Sequence, residues 1–272
     1  MFYFVSTPIG NLKDITYRAI EVLNSVDIIA CEDTRTSLKL LNHYGIKKQL
    51  VAYHKFNEKA AAEKLIKEHD GGKNIAVITD AGTPVVSDPG NVLTKELKER
   101  GIEFTAIPGA TAFTPALILS GLDADRFCFI GFIPEKKSEA EKLLSKYKNL
   151  DVSLIFYSAP HDIKKNIGVM YSVFGDRKAC AVKEITKIHE RAESFMLSEG
   201  ITEEEPRGEY VIIVEGGQCA EDPLLRLSVE EHVNYYLEKG MKKMDAIKQT
   251  AKDRGEKKSD VYAAVNKNEE NE

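Results

Sequence analysis

Across the first 121 residues, short runs of β-branched and aromatic residues alternate with longer stretches whose apolar positions recur every three or four residues. A period of two that switches to 3.6 and back is the signature of strand–helix–strand units, which build a mainly parallel sheet covered by helices. The pattern predicts strands at residues 2–5, 28–31, 75–79 and 104–107, and helices at 15–23, 34–44, 58–69 and 92–100. Gly45, Gly71–Gly72 and Gly101 supply the helix stops.

The polar turn SGLDADR marks a boundary near residue 121. Beyond it the pattern predicts a second α/β domain over 122–220, with strands at 127–131, 153–157, 179–184 and 210–215 and an antiparallel addition at 194–197. Helices are expected at 136–148 and 163–174. A polar linker then leads to three helical stretches, 229–239, 244–254 and 259–265, which make a small helical region over 226–267. The closing NKNEENE is too polar to pack and is expected to fray. The fold class is therefore α/β, with two α/β domains and a helical C-terminal appendix.

Composition narrows the function classes. The chain of 272 residues has 43% hydrophobic and 30% charged residues, as ordinary globular proteins do, and a net charge of −5. That balance excludes a uniformly basic nucleic-acid binder, so any RNA contact must be regional. Residues 241–258 are a candidate region, with seven Lys or Arg against three Asp or Glu; a solvated helix face is the plainer alternative. Apolar runs are too short to cross a bilayer and no secretion signal is visible, so a cytoplasmic location is expected. Cys31, Cys128, Cys180 and Cys219 lie far apart without a CxxC pair, which suits reduced core thiols better than zinc.

Three loops carry the candidate chemistry, each directly after a predicted strand. STPIGNLKDIT (6–16) offers a Pro-Gly turn and an aspartate, Asp14, placed to cap a helix. TDAGTPVVSDPG (79–90) packs two Gly/Pro turns and two aspartates into twelve residues, denser than a plain connection needs. IPGATAF (107–113) puts small residues beside a helix N-terminus, leaving room for a carboxylate or an adenine edge. In open α/β sheets ligands bind outside the carboxyl ends of the strands, where all three loops fall. Walker A, GxGxxG, HExxH and GxSxG patterns are absent, which disfavours phosphate-loop, dinucleotide, metalloprotease and serine-hydrolase chemistry, and no metal is expected.

The strings STPIGNLKDITYRAI, ACEDTRTS, LVAYHKFNE, ITDAGTPVVSDPG, IPGATA, GLDADRFCFIGFIP, IFYSAPH, KEITKIHE and PRGEYVIIVEGG run in order over nearly the whole chain. Together they resemble the tetrapyrrole (corrin/porphyrin) methylase family, and within it the RNA-modifying branch. The resemblance implies two α/β domains that hold S-adenosylmethionine between them, a homodimer, and methylation of a cytidine ribose 2′-hydroxyl in the decoding region of 16S rRNA, within the small ribosomal subunit. Matched loop to loop, it implies cofactor contacts from Pro8, Ile9 and Gly10, from Asp80, Ala81, Gly82 and Thr83, from Ser87 and Asp88, and from Thr111 and Ala112. Phe132, Tyr157, Ala181 and the strand at Glu209 and Tyr210 are expected to close the site. Ser158 stands where the family commonly has glutamate, so no role of that glutamate carries over.

A sulfonium methyl is already activated, so methyl transfer demands mainly alignment and exclusion of water. A weak hydroxyl nucleophile gains from a nearby base. Glu32, Asp33 and Arg35 in ACEDTR, with Lys183 and Glu184 in KEITK, are the catalytic candidates, because they gather charge at strand ends. A structural ion pair within Glu32–Arg35 is the competing reading. His54 and His161 are further candidates for nucleotide contact, and Tyr53 and Phe56 for stacking on a flipped base, with core packing the alternative. A small-molecule methylase and a noncatalytic RNA-binding factor remain the rival functions.

Overall fold

The computed structural model describes residues 1–217 and 223–269. Two compact units divide it: residues 1–147 with 152–215, and residues 148–151 with 216–272. Cys219 lies outside the described residues, as do the last three positions of the tail that was expected to fray.

The larger unit holds two five-stranded sheets. In the first, β1 (Phe2–Val5), β2 (Ile28–Cys31), β3 (Gln49–Ala52), β4 (Ile75–Val77) and β5 (Phe104–Ile107) lie in the order β3-β2-β4-β1-β5, all parallel. Residues of β1, β2 and β4 are almost wholly buried, as strands covered on both faces must be. Helices α1 (Tyr17–Ser25), α2 (Thr34–His43), α3 (Glu58–Asp70) and α4 (Asn91–Glu99) supply the cover. Pattern reading missed β3, an edge strand in which only Val51 is buried, so no apolar run announces it. Asp14 does not cap a helix: it ends a single 3-10 turn, and Thr16 caps α1 by accepting from the Ala19 amide at 3.1 Å.

Helix α5 (Phe113–Ser120) follows β5 and ends at the left-handed Gly121. Its apolar face buries Ala116 and Leu117 against Ile155, Cys180, Val182, Val211 and Ile213 of the second sheet. That sheet runs β6-β7-β10-β8-β9: β6 (Phe127–Phe132), β7 (Ser153–Ser158), β8 (Lys178–Lys183), β9 (Arg191–Met196) and β10 (Tyr210–Val214). Only the β6–β7 pairing is parallel, and β9 is the antiparallel addition expected from the sequence. Helices α6 (Lys137–Ser145) and α7 (Ile163–Phe174) contribute Ala140, Leu144, Ile167 and Met170 to the core on its other face. Cys31 and Cys180 are buried thiols and Cys128 is half-buried.

The smaller unit contains α8 (Val229–Glu238), α9 (Lys243–Arg254) and α10 (Lys258–Glu269) around Val233, Ala246, Ile247, Ala251 and Val261. A reciprocal Ser228–Glu231 capping box starts α8. Among the described residues no helix is long and apolar enough to cross a membrane.

Candidate functional site

Because all strands of the first sheet are parallel, the loops after β1, β4 and β5 leave from one edge and from adjacent positions. They are tied together there. Thr7 and Gly82 exchange backbone hydrogen bonds at 2.8 and 3.1 Å. The Ser6 and Thr83 hydroxyls meet at 2.9 Å, and Thr83 donates to the Ala110 carbonyl at 3.2 Å. The loop after β4 therefore stands as a wall, fixed to both neighbours.

Opposite this wall stands the second sheet. Between them lies a cavity of about 460 Å³, within the size range of small-molecule sites. Ile9, residues 79–83, Val86, Ser87, Asp88 and residues 111–113 line one side. Phe132, residues 157–160, Glu184, Ile185, Lys187 and residues 209–211 line the other. A bulge between Phe129 and Gly131 turns β6 toward the β4 loop, and Gly131 has φ +80. A Cβ there would stand 2.9 Å from the Ser87 hydroxyl, so only glycine lets the two walls approach this closely.

Backbone strain gathers at the same place. Among the described residues four non-glycine positions have positive φ, Val85, Ser87, Glu184 and Thr186, and all lie in the two loops that line the cavity. Each such conformation costs roughly 1–3 kcal/mol and persists only where surrounding packing imposes it.

The cavity is acidic. Its lining holds the carboxylates Asp80, Asp88, Glu184 and Glu209 against one cation, Lys187. Burial, with Glu32 and Asp80 nearby, pushes Asp88 up to about 6, with the nearby Thr79 hydroxyl opposing. Asp80 is also raised by burial, although the Asp33 amide donates to it at 3.2 Å. Burial lifts the Tyr157 phenol to about 12, opposed by the backbone amides of Phe113 and Ala112 that face its oxygen. Burial would lift Glu184 as well, but Lys187 and the Glu209 amide outweigh it and hold its carboxyl below the usual range. Charge burial of this kind concentrates where ligands bind.

Most sequence-predicted contacts meet in this cavity: Ile9, Asp80, Ala81, Gly82, Thr83, Ser87, Asp88, Thr111, Ala112, Phe132, Tyr157 and Glu184 all line it. Pro8, Gly10 and Ala181 do not. Pro8 is buried below the β1 loop, and Gly10 is exposed beneath the Lys187 side chain. Ala181 packs with Phe156 and Ile212, whereas its neighbours Cys180 and Val182 face α5, because successive strand side chains point to opposite faces.

The other catalytic candidates also stand outside. Glu32, half-buried, is raised first by its burial and then by Asp80, with His54 opposing. It is not one of the residues that line the cavity. Asp33 caps α2 through the Arg35 amide at 2.8 Å, and the ion pair in ACEDTR joins Asp33 to Arg35 at 3.5 Å, not Glu32 to Arg35. Lys183 is committed to Glu203 at 2.7 Å, and Tyr210 donates to the same carboxylate at 2.7 Å. Tyr53 is core and bonds Glu58, whereas Phe56 is 94% exposed. His161 pairs with Asp162 at 3.2 Å. Ser158 lines the cavity, accepting from Asn166 at 3.0 Å and donating to the Ala159 carbonyl at 3.2 Å.

Lys187 was missed by sequence reasoning. It lies four residues past the lysine that was favoured, in a loop with no period to fix which of the two faces inward.

Residues 1–199 match the sequence profile of the Tetrapyrrole (Corrin/Porphyrin) Methylases. The chain belongs to this family. Ribosomal RNA small subunit methyltransferase I of Bacillus subtilis (strain 168) is 40% identical over 272 residues, covering 97% of this chain and 93% of that protein. The protein of the same name from Halalkalibacterium halodurans is 41% identical over 267 residues, covering 96% and 92%. The crystal structure of diphthine synthase shares the fold, with a TM-score of 0.64 at 16% identity over 79% of this chain and 89% of that one.

As a tetrapyrrole methylase, the chain takes its methyl group from S-adenosylmethionine. The cavity suits that donor. A sulfonium and an ammonium are cations, and the four carboxylates outnumber Lys187; Ile9, Ala112 and Phe132 offer apolar contact for the rest.

Proposed function

We propose that this tetrapyrrole methylase transfers a methyl group to a cytidine ribose 2′-hydroxyl in the decoding region of 16S rRNA, with the small ribosomal subunit as substrate and a homodimer as the acting form. The observation that carries this reading is the near-full-length match to proteins named ribosomal RNA small subunit methyltransferase I. The acidic cavity supports the donor half of the reaction, and the exposed lysines 242, 248, 252 and 257 support contact with a polyanion.

When bound, S-adenosylmethionine supplies a methyl already activated by its sulfonium. The protein's part is then to bind, align and keep water out. Ionised Asp88 and Asp80 complement the cationic donor, Tyr157 and Phe132 shield it, and the hydrogen-bonded loops after β1, β4 and β5 hold the geometry without reorganising. Half-buried Asp33 and exposed Arg35, at the adjacent strand end, orient the incoming RNA in this reading. Full methyl transfer by both Asp33→Ala and Arg35→Ala would remove them from it.

Mapping ribose methylation in small-subunit RNA from cells with and without the gene is the test of the whole. Loss of one cytidine 2′-O-methyl signal is expected; an unchanged map, or methylation at a base nitrogen or carbon, overturns the 2′-hydroxyl assignment.

A further inference from the structure

A ribose 2′-oxygen never arrives alone. The neighbouring 3′ carbon carries a phosphodiester, so an enzyme that presents a 2′-oxygen to a methyl donor also draws an anion to the cavity mouth. Here the lining holds four carboxylates, and like charges at such range repel strongly in a partly desolvated site. Among the described residues Lys187 is the one cation in the lining.

We propose that Lys187 receives the phosphodiester on the 3′ side of the target ribose, giving up its carboxylate partners as the strand enters. The inference rests on the RNA-methylating reading above. Its support is the way the side chain is held. The ammonium donates to Glu184 at 3.0 Å and stands 3.6 Å from Glu209. The aliphatic stem lies across Gly10, where a Cβ would come within 2.7 Å of the lysine Cγ. A backbone without side chain on the β1 loop therefore makes room for this one lysine. Glu209 is 81% exposed, so its hold on the ammonium is weak and readily exchanged for a phosphate. The strained Glu184 and Thr186 backbones that precede it fix the direction in which the lysine leaves the strand end.

The test uses the full-length protein with small-subunit particles as acceptor and S-adenosylmethionine as donor. Lys187→Met is expected to raise KM for the particles about tenfold or more. It should reduce the dependence of log KM on log salt by about one ion, with the donor Kd from calorimetry no weaker than the wild type's. Lys187→Arg should restore most of the loss. Glu209→Gln, which removes a competing anion, should change KM in the opposite direction and lower it a few-fold. An unchanged KM and salt slope for Lys187→Met overturns the proposal. So does a donor Kd weakened as much as KM, which would assign Lys187 to the donor's carboxylate. If the wild-type protein methylates no small-subunit RNA, the acceptor reading falls and this inference falls with it; if it does so and Lys187→Met is indifferent, this inference alone fails.

Discussion

Asp88 lies in the SDPG turn with Glu32 and Asp80 close enough to raise it further, and burial alone already disfavours its charge. Its pKa of about 6 lies above the value of about 3.9 for an unfolded aspartate. The folded protein therefore holds this proton more tightly, and stability falls as pH rises from about 4 to about 6. Asp88→Asn should raise the stability at pH 7 by on the order of 1 kcal/mol once solvent screening is allowed for, with a higher melting temperature, and the advantage should vanish by pH 4. A calorimetric scan at the two pH values checks this. The same ionisation controls the ligand: wild-type affinity for S-adenosylmethionine should strengthen as pH climbs through 6 and level off above it, and the Asn variant should show neither the rise nor the affinity. Asp88 was legible as a loop residue from its Gly/Pro surroundings, but not its raised pKa, since its burial and the carboxylates of residues 32 and 80 beside it both come from the fold.

The loop before β10 brings Glu209 and Tyr210 to the cavity, and its anchor is Glu203, gripped by Lys183 and by the Tyr210 hydroxyl. Those two hydrogen bonds hold the Glu203 carboxyl below its usual range. Its contribution to stability is therefore present at neutral pH and lost as pH falls through the carboxylate range. Glu203→Gln should lower the melting temperature by a few degrees at pH 7 and by progressively less below pH 4, and should raise the donor Kd only a few-fold. Lys183 shows the limit of reading charge from sequence. Its place at a strand end suggested catalysis, yet a partner twenty residues later makes it an anchor, and nothing local encodes that pairing. The buried strands, by contrast, stood out in the sequence because burial on both faces demands continuous apolar runs, as in IIAC and YVIIV. Edge strand β3 lacks that demand and was invisible. For the same reason the odd–even choice that turns Ala181 away from the cavity could not be made before the sheet's two faces were known.

Taken whole, the protein is acidic with a locally basic end, so its affinity for a polyanion should depend on where charge sits rather than on the total. Reversing Lys248 and Lys252 on α9 to glutamate should raise KM for small-subunit particles several-fold and steepen its loss with salt less than the wild type shows, while leaving donor binding and the melting of the larger unit alone. Equal KM values would make those lysines an ordinary solvated surface. The parallel sheet has one more consequence, in time rather than space. β1 is synthesised well before its partners, residues 75–77 and 104–107, while β2 and β3 can pair as soon as both exist. At the ordinary pace of translation the apolar segment FYFV waits on the order of ten seconds for β4 to emerge and slide in between β2 and itself. β1 is thus a long-exposed sticky segment, and the ligand-binding loop that follows it takes shape only after its second partner strand, β5, has left the ribosome.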